Sequence, residues 1–194
     1  MKTYTFDTNC LIDLDVERPS APYIRQLIAS HRRQKIEVAF VAVSASERQK
    51  GDKYLDTYRD FLNRLEKLKI SDIPQLEGLA YWDLSYWDHA LWASPEDDEL
   101  EQKIHQTLFP RIPFLFSDAV SSQTVTSETA SSKLYSKWRN AWCDRQMIWA
   151  HIHHERDFFV TRDGNFAKKL RKCQRFQELK IVTPEIAVSQ LDSP

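Results

Sequence analysis

The chain of 194 residues lacks the cysteine pattern of a disulfide-stapled or zinc-binding protein. Its three cysteines, Cys10, Cys143 and Cys173, form no close-spaced pair, and an odd number does not suggest a disulfide framework, so a reducing compartment fits best. No apolar stretch approaches the length needed to span a bilayer, and residues 1–7 lack the basic and apolar regions of a signal peptide. We therefore expect a cytoplasmic protein without membrane association.

A large excess of charge of one sign is also missing. The net charge of −1 argues against a protein that binds polyanions over its whole surface, but the total hides a strong segregation of charge along the chain. Residues 18–35 and residues 162–180 each carry a net charge of +5. Residues 72–101 hold nine acids and no lysine or arginine. Two basic segments thus flank an acidic one.

Four β-prone segments alternate with helical segments, which predicts a parallel sheet between helical layers. The predicted strands are residues 3–6, 36–43, 158–161 and 180–182, and the predicted helices include residues 21–34, 52–68, 142–154 and 166–171. Thr183 and Pro184 supply the cap and first position of a closing helix. The polar residues 121–132 predict a loop. The length favours a single domain, residues 1–194.

Residues 70–135 predict a helical insertion that is acidic and rich in aromatic residues. Its aromatic cluster comprises Tyr81, Trp82, Tyr86, Trp87 and Trp92. Base stacking is disfavoured, because the surrounding acids would repel a polyanion. Packing in the core is the default interpretation, and a surface for a protein partner or a homodimer is the next. A further possibility is that the acidic segment competes with RNA for a basic groove.

Four acids stand at places where a metal-dependent site would need them. Asp7 follows the first strand, Glu47 the second and Asp163 a later one, while Asp144 lies on a helix. The carboxyl ends of parallel strands meet at one edge of a sheet, so we expect these acids to converge. They would repel one another unless a divalent cation lay between them. The alternative for Asp144 is that it only caps or decorates its helix.

The order and spacing of these acids resemble the PIN-domain family. The second half of a PIN domain is similar to the run Asp-Arg-Gln-Met-Ile-Trp-Ala, which begins at Asp144. Asp163 follows 19 positions after Asp144, within the run Phe-Phe-Val-Thr-Arg-Asp-Gly-Asn-Phe. The first half of a PIN domain looks like Phe-Asp-Thr-Asn around Asp7 and Ser-Ala-Ser-Glu ending at Glu47. The closing Val-Thr-Pro-Glu at 182–185 is similar too. Residues 50–138 do not align with the family.

The resemblance implies a three-layer, Rossmann-like α/β/α fold and a ribonuclease that uses Mg²⁺ or Mn²⁺. It makes the four acids catalytic residues and metal ligands, with Asn9, Thr161 and Asn165 as polar supporters. Asn165 stands where many members carry a further acid, so a fifth carboxylate is absent from this chain. Many bacterial members are toxins held inactive by an antitoxin protein, which would make such a partner and a single-stranded RNA substrate the expected ligands.

Basic residues near the acids are candidates for binding the nucleic-acid backbone. They are Arg48, Arg162, Lys168, Lys169, Arg171 and Lys172, and a solvated helix face is the alternative for those in the basic helix. His151, His153 and His154 do not form a zinc motif, because adjacent helical positions point in different directions and no fourth ligand is near. We interpret these histidines as surface or packing residues.

Two other functions compete with the ribonuclease. The first is a PIN-like fold that has lost catalysis and binds nucleic acid or protein. The presence of all four acids favours the enzyme, because a scaffold has no need of buried like charges. The second is a phosphatase or DNA nuclease on the same fold, which would use similar metal chemistry.

Overall fold

The computed structural model describes residues 1–46, 57–82, 84–121 and 128–191. Its strands are β1 Thr3–Phe6, β2 Glu37–Val41, β3 Gln75–Leu76, β4 Gly78–Leu79, β5 Ala90–Leu91, β6 Phe158–Val160 and β7 Lys180–Val182. Five of them form a parallel sheet in the order β3-β2-β1-β6-β7, and β4 and β5 form a separate parallel pair. The predicted parallel sheet is thus confirmed.

Helices cover both faces of the five-stranded sheet. They are α1 Thr8–Asp15, α2 Ala21–Arg32, α3 Tyr58–Lys67, α4 Pro95–Leu108, α5 Phe116–Ser121, α6 Glu128–His153, α7 Gly164–Leu170 and α8 Pro184–Ser189. In each strand, alternate residues point to opposite faces. Phe158 and Val160 of β6 join a core with α1, α2, α3 and α8, whereas Phe159 joins one with α4, α6 and α7. The fold is a three-layer α/β/α sandwich.

Local capping signals explain several helix starts. Thr57 and Asp60 form a reciprocal capping box at α3, as do Ser94 and Asp97 at α4. The hydroxyl of Thr183 accepts from the backbone N–H of Ile186, as predicted for the closing helix. The predicted helix 21–34 agrees with α2. Residues 52–56 of the predicted helix 52–68 lie outside the described residues.

Two sequence-based boundaries were wrong. The predicted strand 36–43 ends at Val41, because Ala42–Ala45 turn into a short 3-10 helix that directs the chain off the sheet edge. The predicted loop 121–132 is helical from Glu128 onward. Helix α6 packs against α4 and α5, with Tyr135 and Trp138 meeting Phe116 of α5, and such tertiary packing overrides the weak helix preference of a polar, serine-rich start.

The predicted insertion is part of the fold, and its helices lie on the α6 face of the sheet. Its β3 is an edge strand of the central sheet, and its α4 and α5 pack on α6. Tyr81 meets the ring of Trp142 with 5.7 Å between centroids, so this aromatic residue packs in the core as the default interpretation expected. Trp82 and Trp92 instead remain 78% and 76% exposed. None of the described helices is long and apolar enough to cross a membrane.

Candidate functional site

The strand order of the sheet reverses at the carboxyl ends of β1 and β6. After β1 the chain passes through α1 and α2 to β2 on one side, while β6 continues to β7 on the other side. Such a reversal of strand order is where open α/β sheets bind ligands. Asp7 directly follows β1, and Thr161 directly follows β6. The backbone N–H of Asp7 donates to the carbonyl of Val160 at 3.0 Å, which joins the two strand ends.

Asp7 is a buried carboxylate, only 2% exposed. Its Oδ2 accepts from the Thr161 hydroxyl at 2.5 Å and from Asn9 Nδ2 at 2.8 Å. Burial raises the pKa of Asp7; the hydrogen bonds from Thr161 and Asn9 act against that rise, and the negative charge of Asp163 adds to it. Asn9 and Thr161, both predicted as supporters, therefore hold a carboxylate whose ionised form is costly in this place.

Asp163 is linked to Asp7 through a shared hydroxyl group. The backbone N–H of Asp163 donates to Thr161 Oγ1 at 2.9 Å, and the same hydroxyl donates to Asp7. Asp163 also caps α7, because its Oδ1 accepts from the backbone N–H of Asn165 at 2.8 Å. The side chain of Asp163 is half-buried. Both carboxylates therefore have orientations set by local hydrogen bonds.

Asp144 approaches from the helical layer. It is half-buried on α6 and lines a small cleft with Asp163 and Asn165. The other walls of the cleft are Leu108, Phe109, Phe166 and Lys169. The cavity volume is about 20 Å³, which suits a water-sized body and excludes a nucleobase. Sequence positions 144 and 163 thus meet at one cleft.

The described acids form two pairs that share Asp163. Asp7 interacts with Asp163 electrostatically, and Asp144 shares the cleft with it. Within the described ranges, no group of three or more histidine, cysteine, aspartate or glutamate side chains lies close enough to hold a metal ion. The predicted ligand Glu47 and the predicted phosphate contact Arg48 lie outside the described residues.

The residue directly before Glu47 is firmly held. Ser46 is buried, its hydroxyl donates to the carbonyl of Leu84 at 2.8 Å, and its carbonyl accepts from Arg139 Nε at 2.8 Å. Arg139 belongs to α6, the helix that carries Asp144. Ser46 therefore lies against α6.

The predicted nucleic-acid contacts on the described residues differ in their surroundings. Arg162 is exposed and forms an ion pair with the buried Asp13. Lys168, Arg171 and Lys172 are exposed. Lys169 is half-buried, with its ammonium donating to the carbonyl of Leu108 at 2.8 Å.

Asp13 is a site residue that the sequence reasoning missed. It is fully buried on α1, accepts from the hydroxyl of Ser20, and pairs with Arg18 at 3.2 Å as well as with Arg162. Arg162 lies between Thr161 and Asp163, so Asp13 ties the turn after β6 to α1. Asp13 lies three positions from Cys10 on the apolar stripe of α1, and an acid on such a stripe is the signal that could have revealed it.

A fully buried ion pair anchors the helix of Asp144. Arg145 Nε donates to Glu101 Oε1 at 2.7 Å, and both side chains are fully buried. Gln146 Nε2 and the Tyr81 hydroxyl also donate to the Glu101 carboxylate, each at 2.5 Å. The guanidinium lies 4.2 Å from the ring centroid of Phe114. Glu101, counted among the nine repelling acids, is thus a buried structural partner that spacing alone could not reveal.

His151 is a packing residue. It is 1% exposed, its Nδ1 lies 3.1 Å from Thr5 Oγ1, and its ring meets that of Phe159. Burial lowers the pKa of His151 to about 3, and the positive charge of Arg156 contributes. The side chain is therefore neutral at physiological pH.

No protein-family model matches this chain, and no curated protein sequence matches it either.

Proposed function

We propose that this protein is a metal-dependent endoribonuclease that uses Mg²⁺ or Mn²⁺. The observation that carries the proposal is Asp7, a carboxylate buried at the strand crossover with a raised pKa and with Asp163 as an electrostatic neighbour. Such a perturbed acid in a crevice is typical of a functional site. The resemblance to PIN domains, whose matching motifs include Asp7 and Asp163, supports the same reaction.

The residues present suit a hard cation that keeps most of its water. Mg²⁺ is usually bound through one or two carboxylates, with waters and substrate phosphates completing its octahedron. Asp7, Asp163 and Asp144 would supply these oxygens, and Glu47 remains a proposed fourth ligand. A site of this kind needs no preformed group of three acids. When bound, the cation would activate water and stabilise negative charge on the phosphate.

The remaining side chains would orient the carboxylates and bind the substrate. Thr161 and Asn9 hold the Asp7 carboxylate, and the start of α7 holds that of Asp163. The exposed Lys168, Arg171 and Lys172 lie on and just after α7, where they would contact the phosphate backbone. The resemblance adds an antitoxin protein as the proposed inhibitor.

A catalytically inactive RNA-binding module is the second candidate. One observation favours it: the described acids meet as pairs and form no group of three around a common point. Such a module would keep the basic residues of α7 and would bind RNA without cleaving it. Activity measurements therefore decide between the two.

The test is cleavage of single-stranded RNA by the full chain in the presence of Mg²⁺, Mn²⁺ or a chelator. We expect cleavage that requires the metal and falls at least a hundredfold in Asp7→Asn and Asp144→Asn. Asp118→Asn is the matched control, because Asp118 is an exposed acid on α5. Cleavage in the chelator, or equal rates in all three variants, would overturn the mechanism. Metal-independent RNA binding without cleavage would favour the inactive module.

A further inference from the structure

We propose that Lys169 binds the reacting phosphate of an RNA substrate, and that the insertion holds this lysine in place through Leu108 and Phe109. The inference rests on the proposed nuclease function and deepens it. It also assigns a role to the insertion, which the resemblance to PIN domains leaves unexplained.

Lys169 differs from the basic residues next to it because two contacts fix the position of its ammonium group. Its ammonium donates to the carbonyl of Leu108 at 2.8 Å and lies 5.1 Å from the centroid of the Phe109 ring. Both contacts come from the end of α4, which packs against α7. Lys168, the preceding residue, is exposed on the same helix. A lysine held at two points loses less conformational freedom when it binds a ligand.

The contacts of Lys169 leave its charge available. A carbonyl and an aromatic ring orient an ammonium group without neutralising it. The Leu108 carbonyl occupies one of the three N–H donors, so two remain for phosphate oxygens. A lysine acts on phosphate as a point charge, which suits a phosphate whose oxygens are also close to carboxylates.

The position of Lys169 indicates that it binds the reacting phosphate and not another phosphate of the RNA backbone. Lys169 lines the same cleft as Asp144 and Asp163, the acids proposed to hold the cation. A cavity of about 20 Å³ has no room for a base, so the nucleic acid must lie across its mouth. The phosphate nearest the acids is then also the phosphate nearest Lys169.

Phe109 is a positioning residue in this arrangement. Its ring also meets that of the buried His105, with 5.9 Å between the centroids. The ring therefore spans from the interior of the insertion to the ammonium group. Removal of the ring should loosen Lys169 while the positive charge stays.

The experiment measures binding of a fluorescein-labelled twelve-nucleotide oligouridine RNA to the full chain by anisotropy, in a chelator, over a series of KCl concentrations. Each phosphate contact on a single strand contributes about 0.7 to the slope of log K against log salt, or about fivefold in affinity at 0.1 M. Lys169→Gln should lower the slope by about 0.7 and the affinity by about fivefold. Phe109→Leu should weaken binding about twofold to fivefold with the slope kept, and Phe109→Tyr should bind as the wild type does.

Lys103→Gln is the matched control, because Lys103 is an exposed lysine of α4. It should leave affinity and slope unchanged. Equal losses in Lys103→Gln and Lys169→Gln, a wild-type slope in Lys169→Gln, or no binding by the wild type would overturn the role of Lys169. Wild-type affinity in Phe109→Leu would overturn the role of the insertion. The experiment measures RNA binding and not cleavage. Its results can therefore be interpreted even if the protein proves not to be a nuclease.

Discussion

The buried histidine behind β1 sets a limit on the pH range of the fold. His151 has an ordinary pKa of 6.5 when unfolded and a pKa of about 3 in the folded protein, mainly because of burial. Between these two values the unfolded chain binds a proton that the folded chain rejects. The stability contributed by neutral His151 is therefore present above pH 6.5 and is lost as the pH falls toward 3.

The size of this loss follows from the two pKa values. Each pH unit below 6.5 costs about 1.4 kcal/mol, so the free energy of unfolding should fall by about 1.4 kcal/mol at pH 5.5 and about 2.7 kcal/mol at pH 4.5. Other groups titrate in the same interval. The lowered pKa of His105 acts in the same direction, and the raised pKa of Asp7 acts in the opposite one. A comparison with a His151 variant separates its share.

The measurement is urea unfolding of the wild type and His151→Asn at pH 7.5, 6.5, 5.5 and 4.5, followed by tryptophan fluorescence. Asparagine can offer an oxygen near the position of Nδ1, so the contact with Thr5 can persist. The variant will differ in absolute stability, but only the wild type should lose the additional 1.4 kcal/mol or so between pH 7.5 and 5.5. Parallel stability curves for the two proteins would refute the reasoning.

Three further substitutions test the buried charges. Glu101→Gln should lower the free energy of unfolding, measured in urea, by about 3–5 kcal/mol, because Arg145 would be left buried without a counter-ion. A double variant with Glu101→Leu and Arg145→Met should be nearer to the wild type in stability. Equal losses in the single and double variants would contradict this account. Asp13→Asn should cost about 1–3 kcal/mol by the same assay, less than Glu101→Gln, because Arg162 can reach solvent; an unchanged midpoint would argue against a role in folding. Asp7→Asn should raise the melting temperature at pH 7.5, since an acid with a raised pKa destabilises the fold when ionised, and should abolish any increase in that temperature caused by Mg²⁺. A lower melting temperature, or a retained Mg²⁺ effect, would count against the role of Asp7.

Elements with strong local signals were predictable from the sequence. Strand β7 and helix α8 agree with their prediction because Thr183 and Pro184 mark a helix start in any context. The approach of Asp7 to Asp163 was also predictable, because parallel strand ends meet at one edge. The position of Asp144 was not determined in this way, since it depends on how α6 packs over that edge.

The contacts between the predicted insertion and α6 could not be predicted, for a physical reason. Glu101 and Arg145 lie 44 positions apart, and no periodicity relates two residues on different helices. The acidic residues around Glu101 suggested a segment that repels polyanions. Glu101 is instead buried in an ion pair with Arg145, so its charge is neutralised inside the fold. The start of α6 escaped detection because serine and threonine there favour a loop locally, while the packing that supports the helix lies further along it.

The ion pairs of Arg145 and Arg162 share a feature that connects them to the candidate site. Arg145 directly follows Asp144, and Arg162 directly precedes Asp163. Each arginine is locked to a fully buried acid on another element, Glu101 on α4 or Asp13 on α1. An ion pair with a buried carboxylate can contribute little net stability and still restrict where its arginine lies. Such pairs would fix the backbone next to both cleft acids from opposite layers of the sandwich, so that two half-buried carboxylates stay together despite their mutual repulsion.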